Sequence, residues 1–279
     1  MQFIDSRLRD TSTVSRMTPE HSRFIRRDDV SIAVTDLAGE GPPLLLLHGL
    51  AGSSREMRPT AHALFERRVL LVDQRGHGRS TRRPDDLSRE AFVRDVIAVV
   101  EEIVPGRRVT LVGQSMGAHT AFLVASARPD LVEGLVMLEG HVAGSDDAAE
   151  SADLGRYLAS WPVPFADESA ARAFLGDGAI VDAWTADLEV TPSGLRPRFD
   201  ADIMERALAA VHVPRWSEWE SLPVPTLVVF AAHGMFSPEA KDELIGRRPG
   251  TDRVDLAGGS HDAHLDAFDE WIGVLRRWC

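Results

Sequence analysis

Apolar positions along the chain switch between a period of two and a period near 3.6, and the switches mark the elements. Arg23–Arg27 and Val30–Leu37 alternate apolar and polar residues as half-buried strands do, with Arg26–Asp29 as the turn between them. After Pro42–Pro43, Leu44–Leu47 is an unbroken apolar run, the pattern of a strand buried on both faces of a parallel sheet. Helix and strand patterns then take turns: helix Ala61–Arg68, strand Val69–Asp73, helix Leu87–Val104 with Ser88 as N-cap, strand Arg108–Gly113, helix Met116–Ala127, strand Leu131–Glu139. The rhythm stops at Gly140. Residues 141–222 carry helical stretches and no strand pattern; strand and helix return at Thr226–Ala231 and Pro238–Arg247, and Arg253–Leu256 and His264–Trp278 are the last strand and helix. Repeated strand–helix units predict an α/β fold, a mostly parallel sheet with helices on both faces. The organisation expected is an N-terminal arm over 1–20, a core from 21–140 and 223–279, and a helical cap over 141–222 lying on the sheet's C-terminal edge.

Composition narrows the function. The 279 residues are 44% hydrophobic and 27% charged, as in ordinary globular proteins. With 43 acidic against 31 basic residues, nucleic acid and anionic membrane are excluded as main partners, since both need a basic surface. A small molecule is the expected partner, with the chain a monomer or homodimer. The single cysteine, Cys279, allows neither an intrachain disulfide nor a thiolate metal cluster. The first residues mix charged and polar types without an apolar run, so a cytoplasmic protein without a Sec signal is expected. The 141–222 segment holds fifteen acidic residues against six arginines, which disfavours polyanionic substrates such as acyl-CoA. It also holds Trp161, Trp184, Trp216 and Trp219. One or two of these are expected to line an apolar pocket, while Trp216 and Trp219 pack the segment's return against the sheet.

The strongest chemical signal is Gly113-Gln114-Ser115-Met116-Gly117, a G-x-S-x-G pattern between a predicted strand and a predicted helix. In that context it reads as a nucleophile elbow: the glycines allow a tight turn, which pushes the Ser115 hydroxyl out above the sheet. The helix that follows aims its N-terminal N–H groups at developing negative charge.

Three further pieces follow predicted strands in order: His48-Gly49-Leu50, the loop Asp73–Ser80 (DQRGHGRS) and Gly258-Gly259-Ser260-His261. With the elbow, they resemble the α/β-hydrolase superfamily over roughly residues 22–279. The resemblance implies an eight-stranded sheet, a cap over the active site and a Ser–acid–His triad. It matches Ser115 to the nucleophile, His261 to the base, and the backbone N–H groups of Leu50 and Met116 to the oxyanion hole. The usual Gly-His pair is Ser260-His261 here. His264, three residues on, falls about a turn further along as a polar residue near a helix N-terminus, and His48 and His77 match residues that support neighbouring loops. Most members carry the triad Asp after the strand matching Thr226–Ala231; this chain reads Ala231-Ala232-His233-Gly234-Met235-Phe236, with Gly234 at that position. Haloalkane dehalogenases and some lactone hydrolases resemble a second arrangement, with the acid after the preceding strand. Here that residue is Glu139, and a carboxylate ending an apolar strand must be solvated, paired or functional.

A serine nucleophile suits attack on a carbonyl rather than displacement at an alkyl carbon. The resemblance therefore implies a serine hydrolase of a small-molecule ester, lactone or thioester, working without metal or organic cofactor. Hydrolysis of a carbon–carbon bond, a lyase or cofactor-free oxidative reaction, and a small-ligand receptor remain alternatives on the same fold.

Overall fold

The computed structural model describes residues 20–145 and 147–279. The arm expected over 1–20 lies outside the described residues, except Glu20, which opens the first strand. In chain order the elements are β1 (Glu20–Arg27), β2 (Val30–Leu37), β3 (Gly41–Leu47), α1 (Arg58–Ala63), β4 (Arg67–Val72), α2 (Arg89–Ile103), β5 (Val109–Gln114), α3 (Met116–Ala127) and β6 (Val132–Leu138). An insertion follows with α4 (Ala148–Ala159), α5 (Glu168–Leu175), α6 (Ala179–Ala186), β7 (Glu189–Thr191), β8 (Gly194–Arg196), α7 (Ala201–Ala209) and α8 (Trp216–Glu220). The chain closes with β9 (Thr226–Phe230), α9 (Pro238–Gly246), β10 (Asp252–Asp255), α10 (Ala263–Asp266) and α11 (Phe268–Trp278).

Eight strands form one sheet in the order β1-β2-β4-β3-β5-β6-β9-β10. β2 pairs antiparallel with β1 and β4, and every other pairing in this sheet is parallel. The apolar run of β3 explains itself in this setting. Leu45 and Leu47 enter the core beneath α2 and α3, while Leu44 and Leu46 enter the opposite core beneath α1 and α11. A central strand with two buried faces has no polar position to alternate with. A third cluster joins Met116 and Phe92 to Trp161, Phe165, Phe199 and Met204 of the insertion.

Three predicted elements need correction. The insertion is not purely helical, because β7 and β8 form an antiparallel hairpin across Pro192–Ser193. Strands of three residues are too short to show a period of two, and Gly194 takes a φ of 132° that marks the turn. The first helix spans Arg58–Ala63 instead of Ala61–Arg68. Arg67 and Arg68 belong to β4, where Arg68 forms a two-pronged pair with Asp36 of β2 at 3.0 and 2.7 Å. The last helix is two, broken at Ala267 (φ −122°, ψ 40°). Ser88 caps α2 as expected, accepting from the Ala91 N–H at 3.3 Å.

Candidate active site

Three neighbouring strands, β3, β5 and β6, deliver their C-terminal loops to one cavity of about 650 Å³. Its wall on the sheet side includes Leu50, Ser115, Met116, Glu139 and His261. Leu154, Leu158, Trp184 and Leu208 of the insertion form the other side. The tryptophans divide as expected: Trp184 lines the cavity, and Trp219 is fully buried under Phe122 with its Nε1–H donating to the Leu244 carbonyl at 2.8 Å.

Each of the three loops holds a non-glycine residue in the left-handed region: Ala51 (φ 59°), Ser115 (φ 53°) and Glu139 (φ 47°). Such a conformation costs about 1 kcal/mol or more per residue and persists where its surroundings over-determine it. At Ser115 the surroundings are the two glycines of the motif. A Cβ on Gly113 would run into the backbone of Gly117 and Ala118, and one on Gly117 into the carbonyls of Leu47 and His48. Strand and helix therefore close to backbone contact and lift Ser115 into the cavity. Its own N–H is tied to the Leu138 carbonyl at 2.9 Å. Met116 begins α3, so its N–H is one of those with no partner inside the helix.

The loop carrying Leu50 is fixed from beneath. Gln74 donates its backbone N–H to His48 Nε2 at 3.0 Å and its side-chain amide to the His48 carbonyl at 2.7 Å. His48 Nδ1 lies 2.7 Å from the Gly49 carbonyl, which makes it the protonated nitrogen of a neutral ring. Burial holds the His48 pKa below its ordinary value, and burial likewise drives His77 down to about 3. His77 Nδ1 lies 2.9 Å from the Arg75 carbonyl, so each ring contacts the backbone of the loop that the resemblance implies it supports.

Glu139 is buried at the end of β6. Its carboxylate accepts from the Ala231 N–H at 2.8 Å and the Met235 N–H at 3.0 Å, and His261 Nδ1 lies 3.4 Å away. Burial by itself would raise this carboxyl's pKa. The hydrogen bonds from His261, Ala231 and Met235 outweigh it, and the net pKa lies below the ordinary value. At Gly234 a Cβ would overlap both carboxylate oxygens. The glycine at the commoner acid position is thus the space that the Glu139 side chain fills.

His261 stands on the loop between β10 and α10. Its carbonyl accepts from the Gln114 side chain at 2.9 Å, which ties this loop to the elbow. The departure to Ser260 has a local role: its hydroxyl accepts from the Asp262 N–H at 3.2 Å, while its own N–H donates to Asp266 at 3.1 Å. His264 lies in the first turn of α10, at the helix start expected for it. It is fully buried, its Nε2 3.8 Å from Glu56, and burial pushes its pKa to about 3. Sequence reasoning passed over Gln114, whose place inside the motif hides its bond to His261, and His119, one turn beyond Ser115 on the cavity wall. Among the described residues, no group of three or more His, Cys, Asp or Glu side chains is placed to hold a metal ion. No described helix is long and apolar enough to cross a membrane.

Comparison with known proteins agrees with this architecture. A family model described as alpha/beta hydrolase fold matches residues 42–268, and the chain belongs to that family. A protein of Haemophilus influenzae is 33% identical over 259 residues, spanning 85% of this chain and 83% of that one. The sn-1-specific diacylglycerol lipase ABHD11 of Mus musculus is 34% identical over 151 residues, 52% of this chain. The chain spans less than half the length of that lipase and its frog and fish counterparts, 39–47%. Among solved structures, E-2-(acetamidomethylene)succinate hydrolase superposes with a TM-score of 0.84 at 21% identity, over 93% of this chain and 99% of that one, a likeness of fold.

Proposed function

We propose that the protein is a serine hydrolase that cleaves a small-molecule ester, lactone or thioester through an acyl-enzyme on Ser115. In this reading His261 is the base, Glu139 the acid that orients it, and the N–H groups of Leu50 and Met116 form the oxyanion hole. The observation that carries the reading is the buried Glu139 carboxylate 3.4 Å from His261 Nδ1, on the same cavity as a strained Ser115 at a strand-to-helix turn. A carboxylate accepts, so Nδ1 carries the hydrogen and Nε2 is left as the basic nitrogen. His261 takes the Ser115 proton as the oxygen attacks the carbonyl, the two N–H groups hold the oxyanion, and the imidazolium returns the proton to the leaving oxygen or sulfur. Water, deprotonated by the same ring, then releases the acid. The insertion over 141–222 acts as a cap, and its apolar wall of Leu154, Leu158, Trp184 and Leu208 suits an acyl chain or ring. Similarity to vertebrate lipases over about half of this chain supports ester chemistry.

The test is hydrolysis of p-nitrophenyl acetate, butyrate and octanoate by the wild type and by Ser115→Ala, His261→Ala and Glu139→Gln. Each variant should lose roughly 10³-fold or more in kcat. Turnover by Ser115→Ala at the wild-type rate would overturn the reading, and full activity in Glu139→Gln would remove the acid from its assigned place.

A further inference from the structure

Three histidines besides His261 line the cavity, and they differ in how their nitrogens are used. His141 commits both to backbone, Nε2 to the Ala240 carbonyl at 3.0 Å and Nδ1 to the Ala143 N–H at 3.0 Å. His212 faces Glu150 at 3.6 Å. His119 is 2% exposed, lines the cavity, and has no hydrogen-bond partner on either nitrogen among the described residues. A buried imidazole left this way loses the stabilisation that water would give it unless a bound molecule supplies the partner. It stands one turn into α3, where its N–H donates to the Ser115 carbonyl at 3.1 Å, and both residues line the same cavity.

The electrostatic setting says which partner fits. Arg89 of α2 is fully buried behind this turn, where it donates to Thr120 Oγ1 and stacks over Phe92 at 4.4 Å. Among the described residues its Nε and Nη1 have no partner and it forms no ion pair. The charges of Arg89 and Arg215 both reach His119 and, with burial as the larger cause, hold its pKa well below the ordinary value. A neutral imidazole in a positive potential is an N–H donor for an anionic oxygen. Arg215 is already matched by Glu90 and Glu218 at 2.9 and 3.1 Å, so of the two cations Arg89 is the one without an ion pair among the described residues. The acidic side chains on the cavity, Glu139, Glu150 and Asp262, belong to other elements, so its α3 wall at His119 is the side nearest the buried Arg89 charge.

We propose that His119 is a specificity residue that donates a hydrogen bond to a carboxylate on the acyl part of the substrate, a few atoms from the carbonyl attacked by Ser115. The inference rests on Ser115 being the nucleophile. It deepens that reading by naming the substrate class, a half-ester or half-thioester of a short dicarboxylic acid.

The experiment compares monomethyl succinate with methyl 4-methylpentanoate, which has the same shape and no charge, by proton release in a pH-stat. The wild type should favour the carboxylate ester by about tenfold to a hundredfold in kcat/KM, as expected for a hydrogen bond to a charged group. In His119→Leu the ratio should fall to about one, and in His119→Gln, which keeps an N–H donor, most of it should remain. Free succinate should inhibit the wild type competitively and His119→Leu about tenfold more weakly. A ratio unmoved in His119→Leu, or a wild type that prefers the uncharged ester, overturns the proposal. If His119→Leu does not fold, His119→Gln and the succinate titration of the wild type still decide it: no inhibition by succinate overturns the proposal. Ser115→Ala separates the two failures. If it still hydrolyses the esters, the nucleophile assignment falls; if it is inert while the His119 ratio stays put, only the specificity assignment falls.

Discussion

The loops after β6 and β9 leave the sheet side by side and solve one problem in opposite ways. The first carries a carboxylate on a residue forced to a φ of 47°, and the second carries a glycine where a carboxylate is commoner. They are one unit split between two segments. The β6 loop supplies the charge, and the β9 loop supplies the Ala231 and Met235 N–H groups that hold it and the space at Gly234 that it fills. In the proposed triad the acid's place is set by which loop yields room, and either loop taken alone shows half of the arrangement.

The largest effect should come from moving the charge between these loops. Glu139→Gly should cost roughly 10³-fold in kcat on a p-nitrophenyl ester, for want of a group to orient His261. Adding Gly234→Asp should recover at least about tenfold, because it restores a carboxylate in the vacated space. No recovery would mean that the β9 loop cannot present an acid to His261. A smaller effect is expected from Gly234→Ala alone. Its methyl group would overlap the Glu139 carboxylate, so the carboxylate must leave its two N–H donors. Activity should drop about tenfold to a hundredfold and stability by about 1–3 kcal/mol in urea titration. Wild-type behaviour in this variant would break the idea that the loops share one volume.

The smallest effect concerns pH. Glu139 has a folded-state pKa below its ordinary value, so its contribution to stability is fully present above the unfolded pKa of 4.5 and fades as pH falls through the folded value. The gap in thermal midpoint between wild type and Glu139→Gln should therefore be constant from pH 5 to 7 and close below pH 4.5, with the wild type the more stable by about 1–2 kcal/mol on the plateau. A gap that widens on acidification would contradict the assigned direction.

Much of the sheet was legible from the sequence because a buried parallel strand has an unmistakable apolar run, as in Leu44–Leu47. Ser88 and the G-x-S-x-G pattern were legible because caps and elbows depend on neighbours in sequence. The β7–β8 hairpin was not, since three-residue strands leave no period to read, nor was the break at Ala267, where nothing but the observed backbone angles marks a stop. Within the cavity, Glu139 could be named from the vacancy at Gly234, but His119 could not. Its proposed role rests on nitrogens without a partner among the described residues and on the buried Arg89 behind it, both facts of the fold.

The insertion closes on itself before it rejoins the sheet. Where it leaves and returns, Ser145 N–H donates to the His212 carbonyl at 3.0 Å and Arg215 N–H to the Val142 carbonyl at 2.8 Å, while β6 and β9 pair directly beneath. The chain between those bonds is a loop with a fastened neck. The entropy of closing such a loop grows only slowly with its length, by roughly 0.6 kcal/mol per doubling. The segment can therefore change length at small entropic cost while the sheet beneath keeps its register, so that in the proposed enzyme the covering of Ser115 and His261 is free to vary apart from them.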